Sequence, residues 1–561
     1  MNSLVIIGIA FIFFALAYVF YGGWLVKKWG IDTKAKTPAY THEDGQDFIP
    51  TPKAVVFAHQ FSSIAGAGPV TGPIIAAMFG WVPAFLWILF GGVFFGAVQD
   101  FTSLYASVKN EGKSIGLIIE QYIGKTGKRL FLAFSWIFSL LVIAAFADIV
   151  ATTFNGFKPN GTHSMPNAAA ASISMIYILV AVLFGLFMKF VKPNQLVMFI
   201  VGIVLFVGMM AAGIALPIYA GKMTWLLIVF AYAFIAAILP MWILMQPRDY
   251  LSSFLLISMI IFAVIGVVVQ RPNMNLPAFT GFEVNGKMLF PTLFVTVACG
   301  AISGFHSLVS SGTSSKQVKN EKDMKFIGYG AMIVECMLAV VALVVAGSVA
   351  VHGKLPNETP FVIFSTGVAG FLTKLGFSKV VATCVMTMFV SALALTTLDS
   401  VARIGRMALQ EFFMSNDGKT HSMAQKIATN KYVTTVVTLF FGFLLSQGGY
   451  NNIWPLFGSA NQLLGALVLI ALAVFLKTTG RQGAALWIPM VIMLAVTFTA
   501  LIQAMIGIFN KLFVLGKFDF LTDGLQLIVA IALTVLGLMV AFNGFKKLKG
   551  KKQVQESITA E

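Results

Sequence analysis

The sequence predicts an all-α polytopic membrane protein with about fifteen transmembrane helices, and three observations carry that expectation. Of 561 residues, 58% are apolar and only 11% charged, with a mean hydropathy of +0.89, whereas an ordinary soluble domain has about 25% charged residues. Stretches of about 20 apolar residues, the length that crosses hydrocarbon, recur along the chain. Two of these stretches are interrupted by glycine, proline and polar side chains where the centre of a bilayer should be. Hydrocarbon excludes unpaired backbone unless it faces protein or a watery cavity, so such interruptions point to an internal site.

Taken in order, the first stretch, 3–25, is apolar throughout. Its Ala15-Leu16-Ala17 mimics a signal-peptidase site, but no basic segment precedes it and Lys27 and Lys28 follow, so an uncleaved span is expected. The second, 54–79, holds the interruption His59-Gln60-Phe61-Ser62-Ser63-Ile64-Ala65-Gly66-Ala67-Gly68-Pro69-Val70-Thr71-Gly72-Pro73. Spans 82–107 and 130–154 follow, with a short amphipathic piece at 114–123 between them. Spans 170–188 and 194–219 form a hairpin, and 225–245 and 250–269 close this part of the chain. Span 290–315 carries the second interruption, Cys299-Gly300-Ala301-Ile302-Ser303-Gly304-Phe305-His306-Ser307. After it come 327–350 and 380–402, with an amphipathic piece at 360–375 between them, then 432–446 and 453–476. The last two spans are 486–509 and 521–542.

A formal charge of +17 raises the question of a nucleic-acid partner, and the placement of the basic residues answers it. With the odd-numbered spans running inward, 29 of the 38 Lys and Arg, Arg248 among them, fall on one side and nine on the other. By the positive-inside rule the rich side is cytoplasmic, the N-terminus is outside and the C-terminus inside. The partner is thus the lipid bilayer rather than nucleic acid, and the basic tail 546–552 reads as topological charge beside anionic lipid. Cys299, Cys336 and Cys384 lie within spans, far apart and without metal-ligand spacing, so they are expected to be packing residues.

The chain repeats itself. From His59 to His306 the offset is 247, and Ala147-Asp148-Ile149-Val150-Ala151 resembles Leu398-Asp399-Ser400-Val401-Ala402 at 251. Later, Trp242, Leu244, Asp249 and Leu251 match Trp454, Leu456, Asn461 and Leu463 at 212, a drop that the hairpin at 170–219 explains. The amphipathic pieces fall on opposite sides, so the halves are inverted. Five plus five inverted spans, the first of each five broken, is the LeuT-like superfold of amino acid, polyamine and organocation transporters, here with extra helices. The expected units are 1–53, a peripheral helix and cytoplasmic loop; 54–269, the first half with its inserted hairpin; 290–477, the second half; and 485–561, peripheral helices and a basic tail.

A half-helix that begins inside the membrane aims N–H groups at the cavity, suited to anions, and one that ends there offers carbonyls, suited to cations. The first break is expected at 65–71, between pieces 54–64 and 72–79, and the second between 291–298 and 305–315. Gly66, Gly68 and Gly300 permit unwound turns, and Pro69 and Pro73 stop the ladder. A proline kink with small-residue helix packing explains one such segment, but two at matched positions favour a site.

His59 and His306 are the two histidines inside spans, and imidazole both binds carboxylates and exchanges protons. Intramembrane acids are functional candidates by default. They are Asp100, Asp148, Glu335 and Asp399. Arg403, four residues after Asp399, offers that acid a structural ion pair, while Glu335 has no local partner in the sequence, which favours proton handling.

Several motifs together resemble the carbon starvation protein A family of peptide and pyruvate transporters. They are the 59–73 segment, Asp100 with Gly112-Lys113-Ser114-Ile115-Gly116, and Ala145-Phe146-Ala147-Asp148-Ile149-Val150-Ala151. Further on come Leu239-Pro240-Met241-Trp242, Gln246-Pro247-Arg248-Asp249-Tyr250-Leu251, the 395–403 segment, and Trp454-Pro455-Leu456-Phe457-Gly458-Ser459-Ala460-Asn461-Gln462-Leu463. The resemblance implies a cytoplasmic-membrane importer used when preferred carbon is scarce, moving small peptides or pyruvate with protons.

The expected function is secondary active transport of a small carboxylate-bearing nutrient by alternating access. His59, Gln60, Ser62, Ser63, Gly66, Gly68, Gly300, Ser303, His306 and Ser307 are the expected substrate site. Thr396, Thr397 and Asp399 are expected to hold or relay the coupling ion, H⁺ or alternatively Na⁺, with Asp148 and Glu335 as further proton carriers. No cofactor or resident metal is expected. The chain has no G-x-x-x-x-G-K-[ST] loop and no catalytic constellation, so an enzyme is not expected. The competing class is a membrane-embedded sensor or facilitative channel, gated by the same breaks with 360–375 as a lid.

Overall fold

In a computed structural model of the chain, the described residues are 2–45, 47–158, 161–240, 243–414, 422–514, 516 and 519–549. Met241 and Trp242 of the motifs above, and the basic tail beyond Lys549, lie outside them. Among the described residues the protein is helical apart from one short hairpin, Glu283–Val284 paired with Lys287–Met288. Eleven helices among the described residues are long and apolar enough to cross a membrane, or twelve if the bent pair Lys53–Ile64 and Gly68–Phe79 counts as one span.

The expected count of about fifteen is therefore not reached on length and composition. At 1.5 Å per residue a span needs about 20 residues, and three expected spans fall short. Lys222–Ile238 has 17 residues and Lys431–Ser446 has 16. The second interrupted stretch is two pieces, Leu289–Thr296 and Gly304–Gly312, of 8 and 9 residues.

Two long helices, Lys125–Phe154 and Lys379–Phe413, lie against each other along the middle of the bundle. Small side chains permit the contact: a Cβ added at Gly405 would sit 2.9 Å from Ser139 Cβ. Around this axis pack Lys222–Ile238, Met245–Gln270, Lys431–Ser446 and Tyr450–Thr478. Peripheral helices present apolar faces outward, as with Phe11 and Phe20 on the first helix and Phe542 on the last, the pattern a lipid-facing surface requires. The expected hairpin is present as Met165–Val191 and Gln195–Ala215.

The first break is shorter than expected. Helix geometry is lost at Ala65 (φ −75°, ψ 63°) and resumes at Gly68, four residues before the expected Gly72, with a bend of 45° between the pieces. Pro69 does not prevent the second piece from starting there, because at a first turn its missing N–H has no helical partner to lose. The second break, Val297 to Ser303, begins two residues before the expected Cys299 and ends one residue before the expected Gly304.

Candidate functional site

The two breaks are pressed into the bundle by glycines. A Cβ at Gly66 would lie 2.2 Å from Thr397 Oγ1, one at Gly68 2.4 Å from Cys299 Sγ, and one at Gly304 2.4 Å from the backbone nitrogen of Gly465. Only a residue without a side chain allows these approaches, so the glycines of the motifs fix where the breaks dock. Gly304→Ala is expected to destabilise the protein by about 1–3 kcal/mol through overpacking against backbone. Gly312→Ala, whose Cβ meets nothing within 4 Å, is the control, and denaturation midpoints of the two purified variants check the difference.

The Ala97–Lys109 helix lies along Gly304–Gly312 for the same reason. A Cβ at Gly96 would meet Ala301 O at 2.3 Å, and one at Gly92 would meet Cys336 Sγ at 2.3 Å. Gly92–Gly96 is itself a π-helical turn, a feature frequent at functional sites. One turn beyond Gly96, Asp100 meets His306. His306 Nδ1 is 3.0 Å from Asp100 Oδ2, and its Nε2 is 3.4 Å from Glu335 Oε2 on the Gly330–Val349 helix. All three side chains are fully buried. The 3.4 Å separation is an ion-pair distance without a formed hydrogen bond, and both Glu335 oxygens and Asp100 Oδ1 have no hydrogen-bond partner among the described residues. Glu335 thus has the partner that the local sequence did not offer it.

A second cluster surrounds the other histidine. His59 Nδ1 is 3.3 Å from Asp249 Oδ2, and its Nε2 is 3.0 Å from Thr313 Oγ1. The Arg248 guanidinium donates to Asp249 Oδ1 from Nη2 at 2.6 Å and from Nε at 3.2 Å, and its Nη1 pairs with Asp399 Oδ2. Tyr232 Oη donates to the same Asp399 oxygen, and Tyr177 Oη donates to the Arg248 carbonyl at 2.7 Å. Two expectations are corrected here. Asp399 pairs with Arg248 and not with Arg403, which donates to Leu239 O at 3.2 Å. Arg248 is no loop charge counted by the membrane: it is buried at the start of Met245–Gln270, because two acids and a tyrosine satisfy it there.

The expected substrate residues divide into two groups. Gln60 links the two broken helices, donating to Ser310 Oγ at 2.9 Å and accepting from Ser314 Oγ at 2.6 Å. Ser307 is held by Gln99 and Ser103, and Ser303 by Asn461. Asn461 Oδ1 also accepts from the Phe305 amide at 3.1 Å, so a protein side chain already serves the expected anion-binding end of that helix. Ser62 donates to the His59 carbonyl at 3.3 Å, and Gly300 packs against Ala339. Ser63, Gly66 and Gly68 remain at the first break, with Thr397 and the partly exposed Cys299 beside it. The Thr396 and Thr397 hydroxyls both donate to Leu393 O. Asp148 stands apart, paired with Lys222 at 2.7 Å and accepting from the Tyr450 amide at 2.9 Å.

Arg248, Asp249, Tyr232, Asn461 and Gln99 were absent from the expected site. The Asp249/Asn461 echo is the signal for two of them, since Asp249 contacts the first broken helix through His59 and Asn461 contacts the second through Ser303 and Phe305. No group of three or more His, Cys, Asp or Glu among the described residues is arranged to hold a metal ion.

A bundle of apolar helices, with two broken pieces docked on buried charge, defines a multi-pass membrane protein of the LeuT-like transporter fold. A crystal structure of a manganese transporter from Eremococcus coleocola, a histidine-to-alanine mutant, shares the fold with a TM-score of 0.53 at 11% identity, covering 90% of this chain and 99% of that one. The family described as carbon starvation protein CstA matches residues 2–356 and 351–500, and the chain belongs to that family. The chain is 32% identical to the peptide transporter CstA of Escherichia coli (strain K12) over 567 residues, 87% of this chain and 79% of the relative. It is 31% identical to the pyruvate/proton symporter BtsT of the same organism over 550 residues, 82% and 75%. These relatives are transporters and not enzymes, as expected for this chain.

Proposed function

We propose that the chain imports peptides or pyruvate across the cytoplasmic membrane by alternating access, with protons as the coupling ion, when preferred carbon is scarce. Relatives with those two named activities support the substrate classes. The observation that carries the proton reading is the Asp100–His306–Glu335 cluster. With all three groups ionised it bears a net charge of −1 inside the membrane, and an unbalanced buried charge is costly enough that such a group takes up a proton instead. One additional proton neutralises the cluster, which sits at the end of a broken helix where rocking changes access to it.

The reading assigns units 54–269 and 290–477 as inverted halves within about fifteen spans, counting the short and broken helices. Pseudo-symmetric contacts support this. Asp148 of one half reaches the start of Tyr450–Thr478 in the other, and Asp399 of that half reaches Arg248 at the start of Met245–Gln270. The distribution of Lys and Arg supports an external N-terminus and a cytoplasmic C-terminus. Substrate carboxylate is assigned to the first break, Ser63 to Gly68, with His59 one turn earlier on the same helix and His306 near the start of the second broken helix's inner piece.

Na⁺ is the second reading for the coupling ion, favoured by the closeness of Thr397 Oγ1 to Gly66 at a helix end that offers carbonyls. Flux into proteoliposomes distinguishes the readings. One proton per substrate gives about tenfold accumulation per unit of imposed pH difference, and accumulation driven by Na⁺ alone would replace H⁺ with Na⁺. Counterflow without accumulation would make the protein a facilitator, and binding without flux a sensor.

A further inference from the structure

A cavity of about 850 Å³ opens at the end of the bundle where the Glu283–Met288 hairpin lies, on the face assigned as external. Its walls come from the outer piece of the first broken helix, the hairpin, the start of Pro360–Lys374, the start of Tyr450–Thr478 and the far end of Ala484–Phe513. Thr296, the last helical residue before the second break, and Ser459 are both buried and line it, so its floor adjoins the central site.

Two charges of opposite sign line this cavity, Lys287 from the hairpin and Glu358 from the segment before Pro360. Both are exposed, and neither is ion-paired among the described residues. Between them the lining is mainly apolar, with Tyr450 and Trp454 presenting aromatic surface. Trp454 is 4% exposed, and its Nε1 donor has no partner among the described residues. Buried indole N–H groups usually find one. The volume lies in the range of about 300–1,000 Å³ that encloses ligands of drug size, several times what the six heavy atoms of pyruvate fill.

We infer that this vestibule is a docking site for short zwitterionic peptides ahead of the central site. Glu358 receives the N-terminal ammonium, Lys287 the C-terminal carboxylate, and Tyr450 and Trp454 the apolar side chains. The inference rests on the transport reading above and names the substrate class for which this part of the protein is shaped. Pyruvate carries a carboxylate but no ammonium, so it cannot bridge the two charges.

The test uses the full chain in proteoliposomes, with Glu358→Gln and Lys287→Gln as variants. Both side chains are exposed, so neither change threatens folding. The probes are alanyl-phenylalanine, its N-acetyl form, its C-terminal amide, and pyruvate. Each variant is expected to raise the KM for alanyl-phenylalanine roughly fivefold, the effect of one charge-assisted contact in a partly hydrated site. The N-acetyl peptide should be indifferent to Glu358→Gln, the amide indifferent to Lys287→Gln, and pyruvate indifferent to both. An unchanged KM for the dipeptide in both variants, or a parallel rise for pyruvate, overturns the inference while leaving transport intact. Should the wild type carry neither substrate, the transport reading fails. Equilibrium binding of the same probes then decides the docking site: affinities that follow the same pattern uphold it, and affinities that ignore the two charges overturn it.

Discussion

Replacing Asp399 with asparagine is expected to lower stability by about 3 kcal/mol and to stop uptake. Asp399 is fully buried and shares one carboxylate oxygen between the Arg248 guanidinium and Tyr232. Removing one member of a buried ion pair leaves the other charge underpaired, which typically costs about 3–5 kcal/mol. The lower figure applies because Arg248 keeps Asp249. Replacing the whole ionic group together separates structure from transport. Arg248→Met with Asp249→Asn and Asp399→Leu, which removes both acids that the guanidinium pairs with, is expected to recover most of the lost stability, since uncharged groups of similar size substitute well for a buried ionic triad. Uptake should stay absent in this triple variant, because the group links Lys379–Phe413, through Arg248 and Asp249, to His59 on the first broken helix, a connection that must rearrange when that helix moves. Denaturation of the purified proteins and uptake at matched expression check both parts. A stable triple variant with wild-type uptake would reduce this ionic group to scaffolding.

Glu335→Gln is expected to bring substrate accumulation down to a ratio of about 1 while leaving counterflow exchange intact. Glutamine fills the same space beside His306 and removes the carboxylate that makes a third proton site in the cluster. With no proton to carry across, the pH gradient no longer drives uptake, and the roughly tenfold accumulation per pH unit is lost. Asp100→Asn should act in the same direction. His306→Ala should abolish accumulation more than folding, although it leaves two carboxylates without the group between them. Accumulation at the wild-type ratio in Glu335→Gln would remove the cluster from coupling and favour the Na⁺ reading.

Much of this site was legible before any coordinates. The two breaks were marked by Gly66, Gly68, Gly300 and Gly304 because glycine and proline act on the backbone locally, and local conformation is written locally. The intramembrane acids were legible because a carboxylate in hydrocarbon stands out against apolar neighbours. Their partners were not. Asp399 looked paired with Arg403 at helical spacing, yet the guanidinium that meets it comes from Arg248, on a helix 151 positions earlier in the chain. Glu335 looked unpartnered because His306 lies on another helix. Gln60, Ser303 and Ser307 looked available to substrate, and each is held by another part of the protein.

By itself the sequence determined that this chain lives in a membrane, where its helices break, and which ionisable groups are carried into the bilayer. These depend on composition, period and backbone chemistry along a single strand of residues. The tertiary structure alone decided which charges neutralise one another, that Asn461 rather than a ligand serves the Phe305 amide, and that a vestibule with one positive and one negative side chain leads toward the breaks. Pairing depends on which faces of distant helices meet, and in a bundle this apolar nearly every face offers similar burial. Close approaches at a few glycines, such as Gly96 against Ala301 and Gly304 against Gly465, select one arrangement from many.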